Sequence, residues 1–353
     1  MRLTPPPNRE DRFLVSSDAS DDVAVFDQIG RHCDVLRLEI ERVIVGQKRA
    51  VEVLLTAMLC QGNLLIEGVP GLAKTLLVQT LASALDLKFK RIQFTPDMMP
   101  SDILGTDLIQ EDPATGRREL RFARGPIFAQ LILADEVNRT PPKTQAALLE
   151  AMAERQVTVA GKTMELQEPF MVVATQNPID QEGTYPLPEA QLDRFMFSLW
   201  MDYPSKQEEV QIVNQMSQVV ADRAGSVLGH DVLLRCNRVI GQMPASGHVV
   251  DYAVSLVRAT RPQAPDAPGV TRRYIDWGAG PRASQFLILG AKALAATEGQ
   301  PTPSCEHVRR IAREVLRHRM VVNYSATGEG VTPDTLVTQI LAAVKEPQYD
   351  PPA

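Results

Sequence analysis

Leu64-Leu65-Ile66-Glu67-Gly68-Val69-Pro70-Gly71-Leu72-Ala73-Lys74-Thr75-Leu76 is the stretch that decides the fold. A short apolar run, a loop with two glycines, and a Lys-Thr pair opening a helical segment spell strand, loop, helix. In that context backbone N–H groups and a helix N-terminus cradle phosphate. Lys74 then reaches the β- and γ-phosphates of a nucleotide, and the Thr75 hydroxyl ligates Mg2+. The strict G-x-x-x-x-G-K-[ST] pattern is broken, because Ala73 stands where the last glycine belongs. The cradle survives this change if Ala73 has ordinary helical dihedrals. Taken alone, the stretch also fits a plain strand-to-helix turn.

Working outward, five short apolar runs (Leu64–Ile66, Phe89–Phe94, Leu131–Ala134, Phe170–Ala174 and Phe195–Leu199) alternate with helical stretches such as Thr75–Leu87 and Thr144–Arg155. That alternation predicts an α/β fold whose mostly parallel sheet carries helices on both faces. Upstream, apolar residues at helical spacing from Val25 to Val43 predict one amphipathic helix leading into Gly46-Gln47, and Ala50 to Cys60 is helical again. After Tyr203-Pro204 only helical patterns follow, including Ser304–Met320, where Ser304 is a good N-cap. The expected division is a disordered tail over 1–20, an α/β nucleotide-binding domain over 21–204 and a smaller all-helical lid over 205–353.

Two further runs end in polar residues where ligands sit in such sheets, at the carboxyl ends of strands. Leu131-Ile-Leu-Ala134 leads into Asp135 and Glu136. Asp135 suits a place on Mg2+, and Glu136 suits the general base that polarises an attacking water. A solvated strand end is the plainer reading, and the phosphate loop weighs against it. Phe170-Met-Val-Val-Ala174-Thr-Gln-Asn177 ends in an amide that could orient that water; Asn177-Pro178 also favours a turn, and on sequence alone the turn reading wins.

Composition narrows the class. The 353 residues are 44% apolar, with net charge −6 and pI near 5.5, which argues against broad adhesion to nucleic acid. No run of about 18 apolar residues and no secretory signal is legible, pointing to the cytoplasm. Cys33, Cys60, Cys236 and Cys305 show no C-x-x-C spacing and no ligand-like His partner, so they read as reduced structural thiols.

The chain resembles the AAA+ ATPases, and within them the MoxR family. The resemblance rests on Glu67–Thr75, Ala134-Asp-Glu-Val-Asn-Arg139 with Pro141–Met152, Ala174-Thr-Gln-Asn-Pro178, Leu187-Pro-Glu-Ala-Gln-Leu-Asp-Arg-Phe195 and Gly280-Pro-Arg282-Ala. It runs from about Val43 to His318, and in it Ala73 is ordinary usage. It implies Lys74 and Thr75 as Walker A, Asp135 and Glu136 as Walker B, and Asn177 as sensor 1. Arg194 resembles an arginine finger serving a neighbouring subunit, Arg282 resembles sensor 2, and Gly46-Gln47 falls at the adenine end. Without the resemblance, Arg194 reads as a surface partner of Asp193 or Glu189, and Arg282 as a solvated or capping charge at a helix start. The implied cofactors are ATP and Mg2+, and the implied assembly is a homo-oligomer, a hexameric ring.

Two inserts exceed what nucleotide binding needs. Thr95–Pro126, with the turn sequence Glu111–Gly116, predicts a hairpin or a loop, and Val157–Leu166 predicts two short strands around Ala160-Gly161. They match a helix-2 insert and the hairpin before sensor 1, with roles in contacting a client or only in shaping subunit contacts. Arg117, Arg118, Arg121 and Arg124 favour salt bridges or phosphate contacts over a nucleic-acid site, for want of aromatic stacking partners. The resemblance implies chaperone-like remodelling of a protein client, with a von Willebrand factor A domain protein as partner. A nucleic-acid motor and a chelatase-type motor subunit are the alternatives.

Overall fold

Side chains alternate across a strand, and the apolar runs use this to feed two cores. In the computed structural model, which describes residues 19–111, 118–159, 161–178, 183–216 and 225–347, the chain begins with α1 (Ala19–Glu41) and α2 (Lys48–Leu59). Next come β1 (Leu64–Gly68), α3 (Lys74–Ala84), β2 (Phe89–Gln93) and α4 (Pro100–Leu104). A hairpin of β3 (Gly105–Glu111) and β4 (Arg118–Arg124) precedes β5 (Leu131–Asp135) and α5 (Pro142–Glu154). A second hairpin, β6 (Gln156–Val159) with β7 (Lys162–Glu165), leads to β8 (Met171–Gln176), α6 (Glu189–Leu192) and β9 (Phe197–Met201).

The central sheet is wholly parallel, in the order β2-β5-β8-β1-β9. Leu64, Ile66, Leu131, Leu133, Met171 and Val173 pack on one face with α1, α2 and α3. Their neighbours Leu65, Ile132, Ala134, Val172 and Ala174 pack on the other, with residues of α5. Both faces are therefore dry, as parallel strands require. All five predicted strands are present. Both insert hairpins form as antiparallel pairs; the turn at 112–117 and Ala160 lie outside the described residues, as does most of the predicted N-terminal tail.

Beyond β9 follow α7 (Lys206–Met216), α8 (His230–Gln242), α9 (Gly247–Ala259), α10 (Gly269–Tyr274), β10 (Ile275–Trp277), α11 (Pro281–Thr297) and α12 (Cys305–Leu316). The described chain closes with β11 (Val321–Val322), α13 (Tyr324–Gly328) and α14 (Pro333–Ala343). This is a helical lid with one short antiparallel ribbon, β10 on β11. Val308, Ile311, Ala312 and Val315 bury one stripe of α12, and the Ser304 hydroxyl accepts the His307 amide at its start.

The lid packs on the α/β part through one continuous apolar cluster that includes α1 and α2 as well as α8, α11 and α12. Charged side chains tie α2 to α12 as well. Arg49 pairs with Glu52 at 2.6 Å and with the buried Glu314 at 2.7 Å, while Arg310 bridges Glu52 and Glu298. Partly desolvated Arg–carboxylate pairs in a network fix geometry more firmly than isolated surface pairs.

Candidate active site

The phosphate loop leaves β1 at Gly68, where a Cβ would stand 2.7 Å from the Met201 carbonyl oxygen on β9, so only glycine fits. Gly71 (φ +86°) and Ala73 (φ +56°) both adopt positive φ. The expectation of ordinary helical dihedrals at Ala73 is thus corrected: the N-cap of α3 is left-handed, as the glycine of the strict pattern would make it. An alanine there costs roughly 1–2 kcal/mol of backbone strain. The mixed handedness turns successive amides toward one point, an anion-binding concavity, at the positive end of an eleven-residue helix.

Lys74 Nζ donates to the Gly68 carbonyl and, at 3.5 Å, to that of Gln176. Partial burial lowers the Lys74 pKa, opposed by the negative charges of Asp135, Glu136 and Glu67. Burial raises Glu67 on β1, with Arg317 of the lid pulling the other way.

Asp135 ends β5 and Glu136 follows it, next to β8. The buried Thr175 hydroxyl donates to Asp135 Oδ1 at 2.5 Å and accepts the Glu136 amide at 2.9 Å. Arg91 on β2 donates to Asp135 Oδ2 from Nη2 at 2.6 Å and from Nε at 3.1 Å. Glu136 sits at φ +57°, and its Oε2 meets Arg139 Nε at 3.0 Å and Gln93 Nε2 at 3.2 Å. Left-handed backbone on a non-glycine residue is a strain that surrounding contacts must hold, and it is concentrated at functional sites. Asn177 directly follows β8. The Thr75 hydroxyl and the Asp135 carboxylate are hard oxygen donors of the kind Mg2+ takes together with phosphate oxygens, so the donor set fits that ion.

Between Gln47, the residues at the end of β9 and the lid, a cavity of about 430 Å3 is lined by Gln47, Arg49, Trp200, Tyr203, Arg313 and Arg317 among others. Gln47 Nε2 donates to the Asp202 carbonyl at 3.1 Å, and Gly46, at φ +68°, lies directly against the Glu208 carboxylate. The volume falls in the range of nucleotide-sized pockets.

The two arginines carried by the resemblance are brought to one place by Asp193. Arg282 Nη1 donates to Asp193 Oδ2 at 2.9 Å, and Arg319 Nε donates to Asp193 Oδ1 at 2.9 Å. Arg194, the next residue, is half-buried and has no ion pair among the described residues. The plain reading that Asp193 neutralises Arg194 is therefore not what forms. Arg282 meets Asp193 while its side chain stays 47% exposed at the start of α11. Sequence reasoning passed over Asp193 as a hub, and Arg91, Thr175 and Arg319 altogether; the basic triplet Arg317-His318-Arg319 was the visible cue for the last. Cys305, read as a reduced structural thiol without a ligand-like His partner, is a free, buried cysteine, but a histidine distant in sequence comes near it. Its sulfur, a ring nitrogen of His248 and a Glu346 oxygen lie within 4.8 Å of one another, with Arg309 already on Glu346 at 3.3 Å.

This fold and site are those of an AAA-type ATPase. Residues 63–197 match the model of the ATPase family associated with various cellular activities (AAA), and 269–340 match the AAA lid domain. The chain is 42% identical over 312 residues to Chaperone MoxR1 of Mycobacterium tuberculosis, covering 88% of this chain and 81% of that one. It is 40% identical over 309 residues to YeaC of Bacillus subtilis, covering 87% and 92%. A solved structure from Cytophaga hutchinsonii, of a protein assigned by inference as an ATPase, superimposes with a TM-score of 0.85 at 39% identity, covering 94% and 98%. The chain belongs to the MoxR family of AAA+ ATPases. Among the described residues no helix is long and apolar enough to cross a membrane.

Proposed function

We propose that this chain hydrolyses ATP in a Mg2+-dependent reaction as one subunit of a cytoplasmic homo-oligomeric ring, a hexamer, and uses the cycle to remodel or activate a protein client. The observation that carries this reading is the meeting of Lys74, Asp135, Glu136 and the end of β8 at the carboxyl edge of three adjacent parallel strands. In this reading the loop from Gly68 to Leu76, with Val69, Pro70, Leu72 and the lysine, holds the triphosphate. Gly46 and Gln47 border the base. Thr75 and Asp135 would hold Mg2+, which would supply charge neutralisation to the triphosphate. Asn177 orients the water and Glu136 accepts its proton. The water oxygen bonds to the γ-phosphorus as the bond to the β–γ bridging oxygen breaks, giving ADP and inorganic phosphate.

Arg194 supports a composite site. Arg194 is half-buried and has no ion pair among the described residues, and a guanidinium so placed suits a group that meets a neighbour's γ-phosphate. Arg282, on the lid, serves the subunit's own nucleotide.

Client remodelling, with a von Willebrand factor A domain protein as partner, is supported by the family and by the chaperone name of the mycobacterial relative. The β3–β4 hairpin adds an apolar pair: Ile109 and Leu120 face each other across the strands at 71% and 73% exposure. Glu136→Gln should bind ATP, lose hydrolysis and retain the client during purification. Specific activity should fall on dilution; activity per subunit that stays constant down to demonstrably monomeric protein would overturn the ring.

A further inference from the structure

We propose that Arg319 of the lid is the positioning residue for Arg194, so that the lid which closes over one nucleotide also sets the arginine offered to the next. This rests on the reading of Arg194 as a group acting in trans. The side chain of Arg319 is 1% exposed and its donors are directed at one short segment. Nε donates to Asp193 Oδ1 at 2.9 Å. Nη2 donates to the Asp193 carbonyl at 3.0 Å and to that of Phe195, and Nη1 donates to those of Met196 at 3.2 Å and of Val315. Phe286 of α11 covers the guanidinium, its ring centroid 5.0 Å away.

The grip falls on both sides of Arg194. Carbonyls of residues 193, 195 and 196 all point at the same lid side chain, and His318 Nε2 adds a bond to the Phe195 carbonyl at 3.1 Å. Desolvation pulls the Arg319 pKa down to about 10, with Asp193 opposing the fall. A charge buried at that cost is fully satisfied only while the segment holds this shape. Asp193 also receives Arg282, so the lid arginine facing the subunit's own nucleotide and the backbone bearing Arg194 share one carboxylate. A lysine cannot replace the fork, because its three donors leave one point rather than spanning four carbonyls and a carboxylate.

The test is subunit mixing. Arg319→Lys should keep its own ATP affinity within about twofold even though its melting temperature falls as buried carbonyls lose their donor, while kcat falls on the order of 10–100-fold, the scale of a misplacement of about 1 Å in a reacting constellation. Mixed in equal amounts with Glu136→Gln, whose Arg194 is intact, Arg319→Lys should recover. Random rings give half of its sites a sound neighbour, hence about a quarter of wild-type total activity. Arg194→Ala mixed with Glu136→Gln is the control. If the control does not recover, the trans reading fails. If the control recovers and Arg319→Lys does not, the positioning role fails. Full activity of Arg319→Lys alone, or loss of ATP affinity in step with its melt, also overturns it, since Arg319 would then be dispensable or merely structural.

Discussion

Thr175 stands between the two acidic residues of the site: its hydroxyl donates to Asp135 at 2.5 Å and accepts the amide of Glu136 at 2.9 Å. One side chain on β8 thereby fixes the carboxylate suited to the metal and the left-handed turn that aims the proposed base. Thr175→Val keeps the shape and leaves a buried amide and a carboxylate oxygen without this partner. We expect a stability loss of about 1–3 kcal/mol and a larger fall in kcat than in ATP affinity. Thermal melts and steady-state hydrolysis check both.

Ala73→Gly is expected to stabilise the protein. Relief of a left-handed alanine is worth roughly 1–2 kcal/mol, offset by the about 0.4–1 kcal/mol that glycine adds to the unfolded chain's entropy. A rise in melting temperature with ATP affinity kept is the expected result; a loss typical of glycine inside a helix would contradict the φ of +56°.

Arg91 competes with any cation for Asp135. The arginine is 47% exposed, so the pair contributes at most about 1 kcal/mol. Arg91→Ala should lower the Mg2+ concentration for half-maximal hydrolysis several-fold, measured by titration at saturating ATP.

His318 gives a pH dependence with a definite sign. Burial holds its pKa well below 6.5 in the folded state, with Arg319 adding to the fall. Between that depressed value and 6.5 the unfolded chain binds more protons, so stability is full above about pH 6.5 and declines on acidification by up to about 1.4 kcal/mol per pH unit. His318→Gln, whose amide can still donate to the Phe195 carbonyl, should flatten the decline in denaturant titrations from pH 7 to 5.

The sheet was legible because each strand is an apolar run ended by turn residues, and because Leu64–Ile66 and Leu131–Ala134 alternate cleanly between two cores. Asp135, Glu136 and Asn177 stood out in the sequence because each lies at or directly after the end of an apolar strand. The grip of Arg319 on Asp193 was not, since it joins positions 126 apart and depends on how the lid docks. Nor was the conformation of Ala73: alanine carries no side-chain signal for positive φ, and only the glycine of the strict pattern hints at it. The short helices α10 and α13 were missed because few residues define their period.

The central claim is that one active site is built from two subunits. Arg194→Ala and Glu136→Gln should each be inactive alone. Mixed one to one, they should recover about a quarter of wild-type specific activity, because only an Arg194→Ala site beside a Glu136→Gln neighbour has both a base and a finger, a contribution on the order of 10³–10⁵ in rate. Hydrolysis by the mixture that remains at the level of the separate variants would contradict the account.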